Sequence, residues 1–211
     1  MAASGMRSRM ESLDLLANNI ANASTGGYKA DREFYSLYSA EGNSETMPLV
    51  QKPYTDLSQG LLQATGNPLD LAISGKGFFA VQGPNGPLYT RNGSFRVDSG
   101  GKLSSADGYA VQGVGGGALT IPGKQPIEVS SDGTVTQDGT TIGQLQIADF
   151  TSSAGLTKQG SNYFRVADPG GMVKLSAGSS VEQGKLEASN SGKAESAVRL
   201  VSIMRLFEML Q

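Results

Sequence analysis

The 211-residue chain contains no histidine, no cysteine and no tryptophan. Without histidine there is no imidazole to serve as a base or metal ligand near neutral pH. Without cysteine there is no thiolate nucleophile, disulfide, thiolate zinc site or iron–sulfur cluster. Ser-His-Asp and Cys-His catalysis fall together with them. The missing disulfides suit the cytoplasm or an outside compartment equally and do not choose between the two. No apolar run reaches the roughly 18 residues of a membrane-spanning helix. Near the N-terminus, the stretch from Met6 to Ile20 is broken by Arg7, Arg9, Glu11 and Asp14. It therefore lacks the continuous apolar segment of a cleaved secretory signal, and synthesis in the cytoplasm is expected. Charge is sparse and balanced, with 17 basic against 19 acidic residues and a net charge of −2. That removes the basic footprint by which proteins bind nucleic acid or anionic lipid.

Glycine and proline, by contrast, are abundant: 29 and 8 residues, together roughly 18% where about 12% is ordinary. The excess implies many turns, and the turns fall in the middle of the chain. Between residues 61 and 185 stand Asn85-Gly86, Asn92-Gly93, Asp107-Gly108, Asp132-Gly133 and Asp138-Gly139, each a hairpin signal because both residues tolerate positive φ. Between them the sequence predicts strands at 69–74, 78–82, 88–91, 94–97, 110–114, 127–130, 134–137, 142–148 and 163–166.

The two ends differ from this middle. Met6, Met10, Leu13, Ala17 and Ile20 are spaced 4, 3, 4 and 3 apart, a heptad seam that Leu16 widens to an arc of about 120°. At the other end Ala194, Ala197, Val201 and Met204 form one row, and Leu200, Ile203, Phe207 and Leu210 form a second. An apolar arc that broad needs more than one packing neighbour. Packing of both helices onto their own domain core stays open as an alternative to packing between subunits. The pattern runs to Gln211 without a capping residue, and a truncated end is expected. The fold class expected is mainly β: a glycine-rich antiparallel β domain (61–185) inserted between N- and C-terminal helices (1–40 and 186–211) that form a coiled-coil-like stalk. Residues 41–60 serve as an extended connector.

Motifs that invite a chemical reading are outweighed by ordinary ones. Gly113-Val114-Gly115-Gly116-Gly117 is followed by neither a helix pattern nor a closing Gly-Lys-Ser/Thr, so it reads as a loop, not a phosphate cradle. Gly75-Lys76-Gly77 reads as a hairpin turn. Asp132, Asp138, Asp149 and Asp168 offer carboxylates for glycoside hydrolysis, yet two of them precede glycine in turns, where Asp has a local backbone role. No EF-hand spacing is present. Exposed Tyr54, Tyr89, Tyr109 and Tyr163 would carry a secreted glycan-binding module, a second class of function, though tryptophan is missing where sugar stacking favours it.

One segment is far more specific. LLANNIANASTGGYKADREFY, residues 15–35, resembles the N-terminal signature of the flagellar basal-body rod and hook proteins: Leu16, Ala17, Asn18, Asn19, Ile20, Ala21, Asn22, Gly27, Tyr28 and Lys29 match as they stand. Thr25 and Gly26 fit with one position compressed or substituted. GNPLDLAISGKGFFAVQ (66–82), YTRNGSFRVDSGGKL (89–103) and LEASN (186–190) resemble counterparts in the same family, in the same order. Within that family Arg205-Leu206-Phe207-Glu208-Met209 inclines to proximal-rod members, with distal-rod members second. The chain departs from the family at its ends, where members extend further on both sides.

The resemblance implies a bent structural subunit whose terminal helices pair into an inner tube while the β domain faces outward. It implies no enzyme activity, catalytic residue, cofactor, metal or small-molecule substrate. The partners implied are copies of the chain, other rod and axial subunits, and the flagellar type III export apparatus. Export would leave no cleaved signal, and residence would be the basal body in the cell envelope. The subunit contacts expected are Met6, Met10, Leu13, Leu16, Ala17, Ile20, Ala197, Leu200, Val201, Ile203, Met204 and Phe207.

Overall fold

A computed structural model of the chain describes residues 2–38, 47–123, 125–150, 155–166, 172–174 and 178–208. Among the described residues it is mainly β, with two helices, and it divides into two compact units. The first comprises Met1–Ser24, Lys29–Ser58 and Asn190–Gln211; the second comprises Thr25–Tyr28 and Gln59–Ser189.

The first unit holds the helices α1 (Ala2–Ala21) and α2 (Lys193–Glu208) and the strands β1 (Asp31–Tyr38) and β2 (Met47–Thr55). Neither helix contains proline, so nothing removes a backbone donor from its interior. α2 carries Glu195 in its first turn and Arg205 in its last, the charge order that the helix dipole favours. α1 and α2 pack against each other. β1 and β2 form an antiparallel hairpin from Asp31↔Thr55 to Tyr38↔Met47, irregular between Arg32 and Phe34. Part of the stretch read as a connector is thus a paired strand.

The second unit holds β3 (Leu62–Ala64), β4 (Leu71–Ser74), β5 (Phe78–Gly83), β6 (Gly86–Thr90), β7 (Phe95–Val97), β8 (Leu103–Ser105), β9 (Ala110–Val111), β10 (Ile127–Val129), β11 (Thr134–Gln137), β12 (Thr140–Gln144), β13 (Ile147–Phe150), β14 (Leu156–Gln159), β15 (Tyr163–Val166), β16 (Met172–Lys174), β17 (Ser180–Gln183) and β18 (Lys185–Glu187). Their pairing is antiparallel among the described residues. The largest sheet runs β14-β15-β6-β5-β9-β8-β7, with β13 joining β5 to β16; a three-stranded sheet β10-β11-β12 and the pairs β17-β4 and β18-β3 complete the unit. Leu71, Ile73, Phe79, Val81, Val111 and Val135 lie at the centre of its core, each at most 1% exposed. Phe79 and Phe95 meet edge-on at 5.2 Å, a geometry the ring quadrupoles favour.

Four of the five turn dipeptides close or flank hairpins: β5–β6, β8–β9, β10–β11 and β11–β12. At β11–β12 both Asp138 (φ 49°) and Gly139 (φ 73°) are left-handed, the type I′ geometry that suits strand twist. Asn92-Gly93 does not behave this way, since β6 pairs with β5 and β15 while β7 pairs with β8. Gly75-Lys76-Gly77 is likewise no hairpin turn: β4 pairs with β17, and the segment crosses to a different sheet. The stretch 142–148 is two strands, because Leu145 breaks away to bridge Gly113. The short strands β3, β8, β14, β16, β17 and β18 carry too few alternating residues to stand out in sequence.

Candidate assembly surface

The signature segment ends α1 and turns the chain into β1, and each asparagine has a distinct bond to make. Asn22 donates its backbone N–H to the Asn18 carbonyl (3.1 Å). Its Nδ2 donates to the same carbonyl (2.9 Å) and to Asn18 Oδ1 (2.8 Å). One of the helix's last open carbonyls is thereby satisfied. Asn19 is 8% exposed and pairs with the backbone of Asp31 as a neighbouring strand would: Nδ2 donates to the carbonyl (2.8 Å), and Oδ1 accepts the N–H (3.0 Å). Asn18 and Ala21 are exposed.

The same corner gathers residues from distant parts of the chain. Lys29 is fully buried, and its Nζ donates to the Ser58 carbonyl at 2.6 Å. Asn190, the last residue of LEASN, accepts the Ala30 N–H on Oδ1 (2.7 Å) and donates Nδ2 to the carbonyls of Asp56 (2.7 Å) and Ser58 (3.1 Å). Asp56 also receives Arg32 Nε at 2.7 Å. Burial works against its charge, but bonds from Ser58 and then Arg32 hold the carboxyl below its ordinary pKa. Asn19→Ala is expected to cost about 1–3 kcal/mol, because both backbone groups of Asp31 lose their partner. A urea titration followed by helical circular dichroism measures this, and an unchanged midpoint would refute the role.

The helix faces sort differently from the heptad expectation. On α1 the buried residues among those whose side chains are described are Ser12, Leu16 and Asn19, at 5%, 7% and 8% exposure. Helical rotation places all three within roughly 40° of Ser12, whereas Leu13, Ala17 and Met10 lie roughly 100–160° away. On α2 the buried residue among those whose side chains are described is Ser196, which shares a hydrogen bond with Ser191, and Ser191 Oγ donates to the Asn19 carbonyl at 3.1 Å. Inside one chain the two helices therefore meet along a narrow row of small polar residues around Leu16. The apolar rows are left outward: Met10 is 60% exposed, Val198 69%, Val201 50% and Met204 52%. Ala17 and Ala197 are exposed as well, and Leu13, Ile20 and Leu200 are half-buried. Met6, Ile203 and Phe207 fall outside the described side chains. Sequence reading missed Ser12, Ser191 and Ser196, and it saw Asn190 only as the last residue of the LEASN motif, without a role. The signal for Ser12 was its helical spacing with Leu16 and Asn19, a row too polar to rank as a packing face.

In the β unit the remaining motif residues interlock. Arg91 and Glu187 form a buried ion pair, Nη1 to Oε2 at 3.1 Å, with side chains 3% and 0% exposed. Arg91 also donates to the carbonyls of Ile73 (3.2 Å) and Gly75 (2.7 Å), and its guanidinium sits 5.2 Å from the Phe78 ring centre. This clamp holds the crossover at Gly75–Gly77 in place. Burial pulls the Arg91 pKa below its ordinary value, and the Glu187 carboxylate opposes that shift. Gly27, at φ 67°, donates its N–H to the Glu187 carbonyl (2.8 Å), and a Cβ there would stand 2.3 Å from the Asn92 nitrogen. Tyr28 is fully buried, with Lys158 Nζ 4.1 Å from its ring centre.

No catalytic constellation emerges among the described residues. Asp132 accepts the N–H and hydroxyl of Thr134, a turn role, and Asp168 lies outside the described residues. No group of three or more acidic side chains is placed to hold a metal among the described residues. The glycan platform finds no support: Tyr89 and Tyr163 are 3% and 8% exposed, and of the four tyrosines Tyr54 alone, at 49%, is well exposed. The Tyr163 hydroxyl donates to Asp107 at 2.6 Å, and burial together with that carboxylate raises its pKa. An open groove of about 640 Å³ lies beside Pro87, Val114, Gln144 and Ile147. Its walls carry no cluster of reactive groups.

Comparison with known proteins gives this arrangement its context. Residues 72–137 match the family described as the flagellar hook protein FlgE/F/G D1 domain, and residues 1–29 match the flagella basal body rod protein family. A flagellar basal-body rod protein FlgG of Bacillus subtilis (strain 168) is 34% identical over 237 residues, spanning 97% of this chain and 89% of its own length. Flagellar basal-body rod proteins FlgF of Caulobacter vibrioides and Mesorhizobium japonicum are 33% and 31% identical over 204 and 199 residues; each match spans 93% of this chain and 83% of the relative. The chain belongs to the flagellar basal-body rod protein family, a family of structural proteins and not of enzymes.

Proposed function

We propose that the chain is a structural subunit of the bacterial flagellar basal-body rod, of the proximal type, that assembles through its terminal helices and transmits torque by stiffness. The observation that carries this reading is the outward apolar row on each helix. Several half-exposed valines and methionines on a well-formed helix call for burial elsewhere, and each is worth roughly 1.5–3 kcal/mol when fully covered. In a tubular assembly heterologous contacts repeat from subunit to subunit. One helix then buries its polar row within its own chain and its apolar row against neighbours, in a coiled-coil-like stalk. In this reading residues 1–40 and 186–211 build the rod core, 41–60 connect, and 61–185 face outward. Met6, Ile203 and Phe207 join the contact set. The partners are further copies and other axial subunits, reached by type III export without signal cleavage, and the place is the basal body in the cell envelope.

The proximal type is favoured by chain length in the middle. The FlgG match runs over 237 residues, more than the 211 of this chain, so that relative carries inserted segments. The FlgF matches run over 199 and 204 residues. The distal type is the second reading, since the FlgG relatives cover the larger share of this chain.

Met10→Asp together with Val201→Asp tests the surface, because both positions are at least half exposed and neither change disturbs the chain's own core. The expected result is a folded β unit, loss of swimming, and basal bodies whose rods end early when imaged. The level of the break separates proximal from distal. Normal swimming would refute the reading.

A further inference from the structure

The chain contains two Asn-Gly steps, Asn85-Gly86 and Asn92-Gly93, and the fold treats them in opposite ways. Asn-Gly is the step most open to intramolecular attack, because glycine has no side chain to shield its nitrogen and its backbone turns freely. Attack requires an asparagine side chain free to swing onto the next nitrogen, a backbone free to rotate, and access for water.

Asn92-Gly93 meets none of these conditions. Asn92 Oδ1 accepts the Ser94 N–H at 3.1 Å, and the Asn92 N–H donates to Thr90 Oγ1 at 3.0 Å. The Gly93 carbonyl accepts the Leu71 N–H at 3.0 Å, and the site of a Gly93 Cβ lies 1.6 Å from the Leu71 oxygen. The step is locked against a core strand.

Asn85-Gly86 meets the first and the third, and its backbone is held only at the last rung of the β5–β6 ladder, where Gly83 pairs with Gly86. It stands at the tip of the β5–β6 hairpin, where Asn85 is exposed and Gly86 has φ 108° with nothing within 4 Å of its Cβ position. Among the described residues no side-chain hydrogen bond holds the Asn85 amide. Loop tips with these properties are where local opening costs least.

We propose that Asn85 is a site of spontaneous deamidation and isoaspartate formation in the folded protein, and that Asn92 is protected by the fold. The Gly86 nitrogen bonds to Asn85 Cγ, the Cγ–Nδ2 bond breaks, and ammonia leaves with the proton from the Gly86 nitrogen; the product is a five-membered succinimide. Water then opens the ring. Addition at Cγ gives aspartate, and addition at the main-chain carbonyl gives isoaspartate, in which the chain runs through the side-chain carbon. Both products place a new negative charge at the hairpin tip. The isoaspartyl product adds a methylene to the backbone beside the Gly83↔Gly86 pair, and it is a substrate for enzymatic carboxyl methylation of isoaspartyl groups. The rate rises with pH, because the attacking nitrogen must lose its proton.

The test is to hold the full chain at mildly alkaline pH and physiological temperature, folded in one sample and in denaturant in another. Both asparagine-bearing peptides are then read by mass spectrometry, with methylation by a purified isoaspartyl methyltransferase as the second readout. The expected result is conversion at Asn85 alone in the folded sample, conversion at both sites in denaturant, and loss of the methylation signal from folded protein in Asn85→Gln. Two results would overturn the proposal: an intact Asn85 in the folded sample once the denatured sample has converted, or equal conversion of Asn92 in both.

Discussion

Replacing Glu187 by leucine is expected to lower the stability of the protein by about 3–5 kcal/mol, the cost of stranding a buried charge without its partner. Arg91 would remain 3% exposed without its hydrogen-bonded carboxylate, with Asp149 the remaining negative charge acting on it, and its pKa is already depressed by burial. The Gly60 N–H, which donates to Glu187 Oε1 at 2.9 Å, would be left open as well. A denaturant titration measures the loss. The paired replacement Arg91→Met with Glu187→Leu is expected to recover part of it, because no stranded charge remains, although the Gly60 N–H and the carbonyls of Ile73 and Gly75 lose their partners. A single variant as stable as the parent would show that the pair does not hold the crossover between β4 and β5. Among the described residues the buried Arg91 Nε has no hydrogen-bond partner, so the clamp tolerates one unsatisfied donor beside three made bonds.

The second large effect is expected at Gly93. Alanine there would put a carbon 1.6 Å from the Leu71 carbonyl oxygen and 2.7 Å from its carbon, both backbone atoms that cannot rotate away. Relief requires β4 or the β6–β7 connection to move, and both border the fully buried Leu71 and Phe79. Overpacking typically costs about 1–3 kcal/mol and more where it cannot be relieved; with backbone on both sides the upper end and loss of soluble folded protein are the expected outcome. Gly117→Ala is the control. It has no atom within 4 Å of its Cβ position and no positive φ, and its stability is expected to change by no more than about 0.5 kcal/mol. Equal stability of the two variants would refute the close approach.

Much of the molecule is legible before folding is considered. The helices are visible because a heptad and a proline-free stretch are local properties, and three of the Asp-Gly turns are visible because positive φ is a property of two adjacent residues. The signature asparagines are visible as a pattern, yet their roles are not. Asn19 reaches Asp31 across 12 positions, and Asn190 reaches Ala30 across 160. No window of sequence contains both ends of such a bond. Asn92-Gly93 misleads for the same reason: its dipeptide chemistry permits a tight turn, but the approach of Leu71 makes it a packing contact.

The helical faces show the division most clearly. Periodicity from Met6 to Ile20 and from Ala194 to Leu210 pointed to helices with broad apolar arcs at both ends, and the absence of histidine and cysteine established that imidazole and thiolate chemistry have no place in the chain. Which stripe of each helix turns inward was decided only by tertiary structure. Ser12, Leu16 and Asn19 face inward because Asn19 must pair with Asp31 and Ser191 must reach the Asn19 carbonyl. A buried backbone group left without a partner costs about 1–3 kcal/mol, and these polar bonds satisfy such groups within the chain. The apolar rows, which dominate the sequence, therefore remain outside.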